Sequence, residues 1–163
     1  MSHDGLGRNI KSVMKNKINN RIRIKVMCMI TDGDRVLAGH GRDNVKGEDF
    51  YRVLGGSMQF GETSEEGVRR EIREELNSEI EDLKFLDVVE NTFVYKGKPG
   101  HEIIFLFQGT LADKEIYKKA KIHIAEEGYE FDAEWVSLKD VSEGTARLYP
   151  EYDYSKFVKR TNK

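Results

Sequence analysis

Between Gly55 and Leu76 the chain reads GGSMQFGETSEEGVRREIREEL, and the parts of this stretch work only in one order. The run FYRVL reads as a short strand that ends at Gly55-Gly56, where a loop begins whose bare backbone can approach a ligand closely. Thr63 is then a good N-cap, Glu66 sits three residues later in capping-box position, and no proline interrupts the run to Leu76. Asn77 follows the last apolar position, and Asn tolerates the left-handed conformation of a helix stop. Strand, close-approach loop and capped helix therefore succeed one another, and the helix needs a sheet to cover its apolar stripe.

That stripe is Val68, Ile72 and Leu76. At about 100° per residue, Glu71, Glu74 and Glu75 fall within an arc of roughly 100° beside it. The carboxylates thus sit at the edge of the buried face, while Arg69 and Arg73 lie on the outer side. Gly67, one turn before Glu71, costs a helix about 1 kcal/mol relative to Ala. Its missing side chain predicts room for an approaching group. Carboxylates held together at low exposure repel one another unless a cation neutralises them, and a cluster of hard oxygen ligands suits Mg²⁺ or Mn²⁺. REIREE alone equally describes a solvated charged helix.

The rest of the chain is rich in strand patterns. RIRIKVMCMIT alternates and then turns fully apolar, DGD marks a hairpin, and a second strand follows around Arg35–Gly39. RDNVKGED reads as a loop. FLDVVENTFVY and HEIIFLFQGTL are strands joined by the hairpin KGKPG, residues 112–128 are ambiguous, EFDAEWVSL is a strand, and LKDV opens a short helix. YPEYDYSKFVKR is expected to form a C-terminal helix with Pro150 in its first turn, burying Tyr154, Phe157 and Val158. The fold class is α/β, a mixed sheet with helices packed on it. Residues 1–20 read as an N-terminal extension and 21–163 as one domain.

Net charge is −2 over 163 residues, which gives no global case for nucleic-acid or membrane binding. No apolar run approaches the ~20 residues of a membrane span. The lone Cys28 cannot form an internal disulfide. A soluble, cytoplasmic protein is the expectation, with the oligomeric state left open.

From Gly56 the spacing runs five residues to Glu62, then seven to Arg70-Glu71-Ile72-Arg73-Glu74-Glu75. This resembles the signature box of the Nudix hydrolases, G-x5-E-x7-R-E-U-x-E-E-x-G-U with U aliphatic, at every charged position and at the first glycine. Asn77 replaces the final glycine, Ser78 the last aliphatic residue, and Leu54 stands where many members carry proline. The strand order from about Arg21 to Tyr149 also resembles the family. The resemblance implies the family's α/β/α sandwich and hydrolysis of a diphosphate linkage in a nucleoside diphosphate joined to a group X. Water attacks phosphorus, and Mg²⁺ or Mn²⁺ carries the electrostatics. It implies Glu74 and Glu75 as metal ligands, the Gly55 carbonyl as a further one, and Glu71 as ligand or base. Arg70 orients Glu71 and pairs with Glu62. The general base in the family sometimes lies on a distant loop, which brings in Glu126 and Glu127 of IAEEGYEF. Glu127 is favoured because Gly128 permits a tight turn, with a solvated loop acid as the equal alternative.

Tyr95 lies seventeen residues past the box, a spacing that resembles members acting on dinucleoside polyphosphates. ADP-ribose-like compounds and nucleoside triphosphates are the other candidate substrates. Tyr95 and Gly56 are expected at the substrate; Phe93, on the face of Tyr95, is expected in the core. Arg21, Arg23 and Lys25 share one strand face, for which solvent is favoured over phosphate or RNA, with Arg23 the candidate substrate contact. Glu102 is expected as an edge-strand carboxylate facing water. A small-molecule nucleotide is the expected partner. Two other classes remain in play: a nucleotide- or RNA-binding module without catalysis, against which the complete glutamate set speaks, and a Nudix-fold isopentenyl diphosphate isomerase, which needs a Cys and Glu pair that Cys28 does not provide.

Overall fold

A computed structural model describes residues 20–126 and 128–158. The expected extension lies outside them except for its last residue. Eight strands form one mixed sheet in the order β4-β5-β1-β3-β2-β7-β6, with β8 beside β3. The strands are β1 Arg23–Asp32, β2 Arg35–Asp43, β3 Glu48–Ser57, β4 Ile80–Tyr95, β5 Lys98–Leu111, β6 Lys121–Glu126, β7 Tyr129–Ser137 and β8 Leu148–Tyr149. Helix α1 spans Ser64–Leu76 and α2 spans Leu138–Ser142. Gly33 takes the positive φ (62°) of the expected DGD hairpin.

The alternation of β1 divides the core into two layers. Val26, Cys28 and Ile30 face Val68, Ile72 and Leu76 of α1, while Met27 and Met29 face the layer containing Leu138 of α2 and Tyr154. Val68 and Ile72 have no exposed surface, and burying each stabilises the fold by about 1.5–3 kcal/mol. The caps of α1 form as its sequence dictates. Thr63 and Glu66 make the reciprocal capping box, and Asn77 stops the helix at φ 50°.

Strand β3 shapes the cleft. Its first half, Glu48–Val53, pairs antiparallel with Asp43–Ala38 of β2, and its second half, Leu54–Ser57, pairs with Cys28–Lys25 of β1. β1 and β2 pair directly only at their shared hairpin, from Ile30–Leu37 to Asp32–Arg35. Both halves of β3 therefore run away from that hairpin, one along β2 and one along β1, and the strand bends at Val53–Leu54. The wedge between the halves is a cleft of about 550 Å³.

Three local expectations are corrected and one ambiguous region is resolved. Gly55-Gly56 does not begin a loop, because pairing with β1 carries the strand to Ser57. Half of RDNVKGED extends β2 and β3, Arg42 and Asp43 in one and Glu48 and Asp49 in the other, and residues 44–47 form the turn between them. The ambiguous region 112–128 holds a 3₁₀ turn, Lys114–Lys118, and strand β6. Among the described residues no α-helix follows Pro150; residues 159–160 of the expected helix lie outside them. Leu148–Tyr149 is a strand, the Tyr149–Pro150 peptide is cis, and a 3₁₀ turn, Tyr154–Phe157, comes after it. Asp153 accepts the Ser155 N–H and caps that turn, the local bonding by which Asp competes with a continuing helix. Tyr154 is buried as expected, and Phe157 and Val158 are partly buried.

Candidate active site

The bend of β3 brings the acidic edge of α1 against the Gly55-Gly56 backbone. Glu71 is 7% exposed and lies directly over Gly56, where a methyl group would overlap its carboxylate. Gly55 has φ +146°, and a side chain there would collide with the Val26 carbonyl of β1. Both glycines are thus demanded by close approach, one of a carboxylate and one of a neighbouring strand.

Arg70 organises this edge. Its Nε and Nη2 donate to Glu62 at 2.9 and 2.7 Å, its Nη1 to Glu71 at 2.9 Å and to Glu74 at 3.2 Å, and its Nη2 to the Ser57 carbonyl at 3.1 Å. One guanidinium therefore fixes the loop, the helix and the end of β3 together. The Arg70 guanidinium, helped by the Gln59 N–H, holds Glu62 down to a pKa of about 2. The room expected at Gly67 is taken by Glu62. A Cβ on Gly67 would lie 2.9 Å from Glu62 Oε1 and 3.4 Å from Val26 Cγ2, so this glycine admits the chain's own carboxylate rather than a ligand.

The carboxylates facing the cleft are in the opposite electrostatic state. Burial pushes Glu71 upward, opposed by Arg70. Glu75 is pushed well above the ordinary carboxylate range, by burial first and then by Glu126 and Glu71. Its Oε2 is sealed from solvent and has no hydrogen-bond partner among the described residues. One oxygen each from Glu71, Glu74 and Glu126 lies within 4.8 Å of the others. An octahedral Mg²⁺, with ligand distances of about 2.1 Å, holds its ligand oxygens roughly 3–4 Å apart. An orphaned buried oxygen beside converging carboxylates is what such an ion would relieve, so these residues fit one.

Glu126, from the end of β6, thus reaches the cluster. Glu127 lies outside the described residues. Tyr95, Arg23, Gly55 and Gly56 all line the cleft with Glu71 and Glu75. Tyr95 is 37% exposed and meets the Phe50 ring edge-on at 5.7 Å. Cys28 belongs to the core layer under α1, where burial pushes its thiol up. It does not line the cleft.

Three expectations about the cleft are overturned. Glu102 does not face water. It is 1% exposed, because β5 pairs with β4 on one side and in parallel with β1 on the other. Phe93 is no core residue; it is a partly buried wall of the cleft, with the Arg23 guanidinium 5.9 Å from its ring centre. Of the three basic residues given to a solvated face, Arg21 is exposed and does not line the cleft, whereas Lys25 and the still exposed Arg23 do line it. Arg52, inside FYRVL, was not singled out by the sequence although it reaches Glu102. The only trace of its role is a lone cation in an otherwise apolar and aromatic strand.

The family model of the NUDIX domain matches residues 21–156. The chain belongs to the Nudix family. Among solved structures, the fold of this Nudix protein is similar to that of a mutator MutT protein from Bacillus halodurans. The two are 21% identical, the match covers 83% of this chain and 79% of that one, and the TM-score is 0.55. It is also similar to a NUDIX hydrolase from Nitrosomonas europaea at 14% identity, covering 84% and 88% with a TM-score of 0.56. Among the described residues, no helix of this Nudix chain is long and apolar enough to cross a membrane.

Proposed function

We propose that this Nudix protein is a metal-dependent hydrolase that cleaves a diphosphate linkage in a nucleoside diphosphate-X substrate by attack of water at phosphorus. The convergence of Glu71, Glu74 and Glu126 beside the orphaned Glu75 Oε2 carries this reading. Glu74, Glu75, Glu71 and the Gly55 carbonyl hold the ion, Mg²⁺ or Mn²⁺, and Glu126 adds a carboxylate from the opposite wall. A divalent ion bound there screens the phosphate oxygens and acidifies water. Glu71 would either complete the ion's shell or accept the proton of the attacking water; burial, opposed by Arg70, raises its pKa and so makes it a better proton acceptor than an exposed glutamate. Arg70 keeps Glu71 aimed over Gly56, and Glu62 fixes Arg70 in turn.

A cleft of about 550 Å³ suits a small molecule. Gly56 lets the Glu71 carboxylate lie against the backbone beside the phosphates, Arg23 meets the charge of a phosphate further along the chain, and Tyr95 offers an aromatic face to a base. Dinucleoside polyphosphates are the first substrates to try, followed by nucleoside triphosphates and ADP-ribose-like compounds. The test is turnover of that panel with Mg²⁺ in ¹⁸O-labelled water, followed by mass spectrometry of both products. Label on a phosphate product is expected. Label on carbon, or no turnover of any compound, overturns the hydrolase and favours a binding module.

A further inference from the structure

Arg23 and Arg52 enter the wedge from its two sides and share one carboxylate. Arg23 Nη2 lies 3.0 Å from Glu102 Oε1, and Arg52 Nη2 lies 3.2 and 3.4 Å from its two oxygens. Glu102 is 1% exposed, whereas the arginine side chains are 46% and 40% exposed. Lys25 stands two residues from Arg23 on the same face of β1, and its Nζ donates to Ser57 Oγ at 2.9 Å. Two guanidinium heads on one carboxylate, with the Lys25 ammonium nearby, leave a local surplus of positive charge in this part of the cleft.

Neutralising Glu102 needs only one positive charge, and further cations beside it repel one another. The second arginine does serve the remaining lone pairs of the carboxylate, so the surplus is of charge and not of hydrogen bonds. Burial, with Arg52 and Arg23 nearby, pushes the Lys25 ammonium below its ordinary range. Among the described residues each arginine gives only its Nη2 to Glu102. The remaining N–H groups of each fork are left for the cleft. Arginine forks match phosphate oxygens in shape and charge. The order along the cleft matters as well. Lys25 pairs across β1 and β3 with Ser57, the neighbour of Gly56 beneath Glu71. The cationic run therefore begins beside the carboxylate cluster at Lys25 and continues along β1 to Arg23, with Arg52, whose charge also reaches Glu75, joining it at Glu102.

We propose that Arg52 and Arg23, held by the positioning residue Glu102, form a second anion subsite for a substrate phosphate beyond the linkage at the glutamates, so that favoured substrates carry at least three consecutive phosphates. This deepens the proposed function and rests on its placement of the scissile linkage. Nucleoside triphosphates and dinucleoside polyphosphates share the required third phosphate, and their relative turnover by the unmodified protein tells which source is used.

The test is calorimetric binding, with Mg²⁺, of imidodiphosphate and diimidotriphosphate, whose nitrogen bridges resist hydrolysis. The unmodified protein is expected to bind the triphosphate analogue at least about tenfold more tightly. Arg52→Ala and Arg23→Ala should each weaken it about 10- to 100-fold, the range for one lost charge-assisted hydrogen bond. Both should leave imidodiphosphate within about threefold, and Arg52→Lys should recover only part of the loss. Equal affinities in the unmodified protein, or variants that weaken both analogues alike, overturn the subsite even if the enzyme is active. If the selectivity holds while no phosphate compound is hydrolysed, the subsite stands and the hydrolase reading falls.

Discussion

Gly56 and Glu71 are fitted to one another so closely that any side chain at Gly56 would occupy the space of the Glu71 carboxylate. The obstacle is the far end of a flexible side chain, not backbone, so the fold can yield by letting Glu71 swing away. Gly56→Ala should therefore lower the melting temperature only slightly while reducing Mg²⁺-dependent kcat at least about 100-fold, comparable to loss of a preorganised electrostatic group. A variant with near-normal turnover would show that Glu71 need not lie over Gly56. Gly55→Ala is the contrasting case, because its clash is with the backbone of β1, and it should destabilise the protein outright.

Glu75 carries a buried oxygen with no hydrogen-bond partner among the described residues, and its charge is opposed by burial and by two neighbouring carboxylates. Its folded-state pKa is raised, so in the absence of metal its ionisation works against folding at neutral pH, and the penalty fades as pH falls through that raised value. Glu75→Gln removes the charge at nearly constant shape. In EDTA at neutral pH its urea midpoint should match or exceed that of the parent protein. With Mg²⁺, its turnover should fall at least about 100-fold. Glu65→Gln, which touches only Arg69 on the exposed side of α1, is the control and should leave both readouts nearly unchanged.

What could be read before folding was whatever depends on neighbours along the chain. The capping box, the Val68–Ile72–Leu76 stripe, the Asn77 stop and the grouping of Glu71, Glu74 and Glu75 all follow from helical spacing. Glu102 and Arg52 could not be placed this way. The burial of Glu102 arises because β5 joins β1 in parallel, a pairing between segments some eighty residues apart. Arg52 reaches it only because β3 changes partner at Val53–Leu54. Gly67 shows the same divide from the other side. The need for a small residue was visible, but the group filling the space was Glu62, brought there by Arg70 rather than by local sequence.

Glu62 makes the acid limb of stability testable. Its pKa is held at about 2 by Arg70 and the Gln59 N–H, below the ordinary 4.5 of a glutamate. A depressed folded-state pKa contributes stability that is complete above the ordinary value and is lost as pH falls toward the folded one. Glu62→Gln should therefore be less stable than the parent at pH 6–7, and the two unfolding midpoints should converge between about pH 4.5 and 2. A gap that persists unchanged to the lowest pH would mean that the Arg70–Glu62 contact contributes through packing alone.

Glu126 offers the sharpest comparison, because it approaches Glu71 and Glu74 from β6, the far edge of the sheet, and not from the helix that carries the other carboxylates. If it completes the ion's surroundings, removing its charge should weaken metal binding more than it disturbs the fold. It is exposed, so little stability depends on it. Glu126→Gln should leave the melting temperature in EDTA equal to the parent's or slightly higher, since it removes one of the charges opposing Glu75, and should raise the Mg²⁺ concentration for half-maximal turnover about 10- to 100-fold, the scale on which supporting groups tune a metal site. Glu127→Gln, measured alongside, separates the two neighbouring acids. A purely basic role would lower kcat and change its pH profile without moving the Mg²⁺ requirement. If Glu126→Gln instead keeps both its Mg²⁺ requirement and its rate, the carboxylate is a solvated acid at the end of β6 and the cation site belongs to α1 and Gly55 alone.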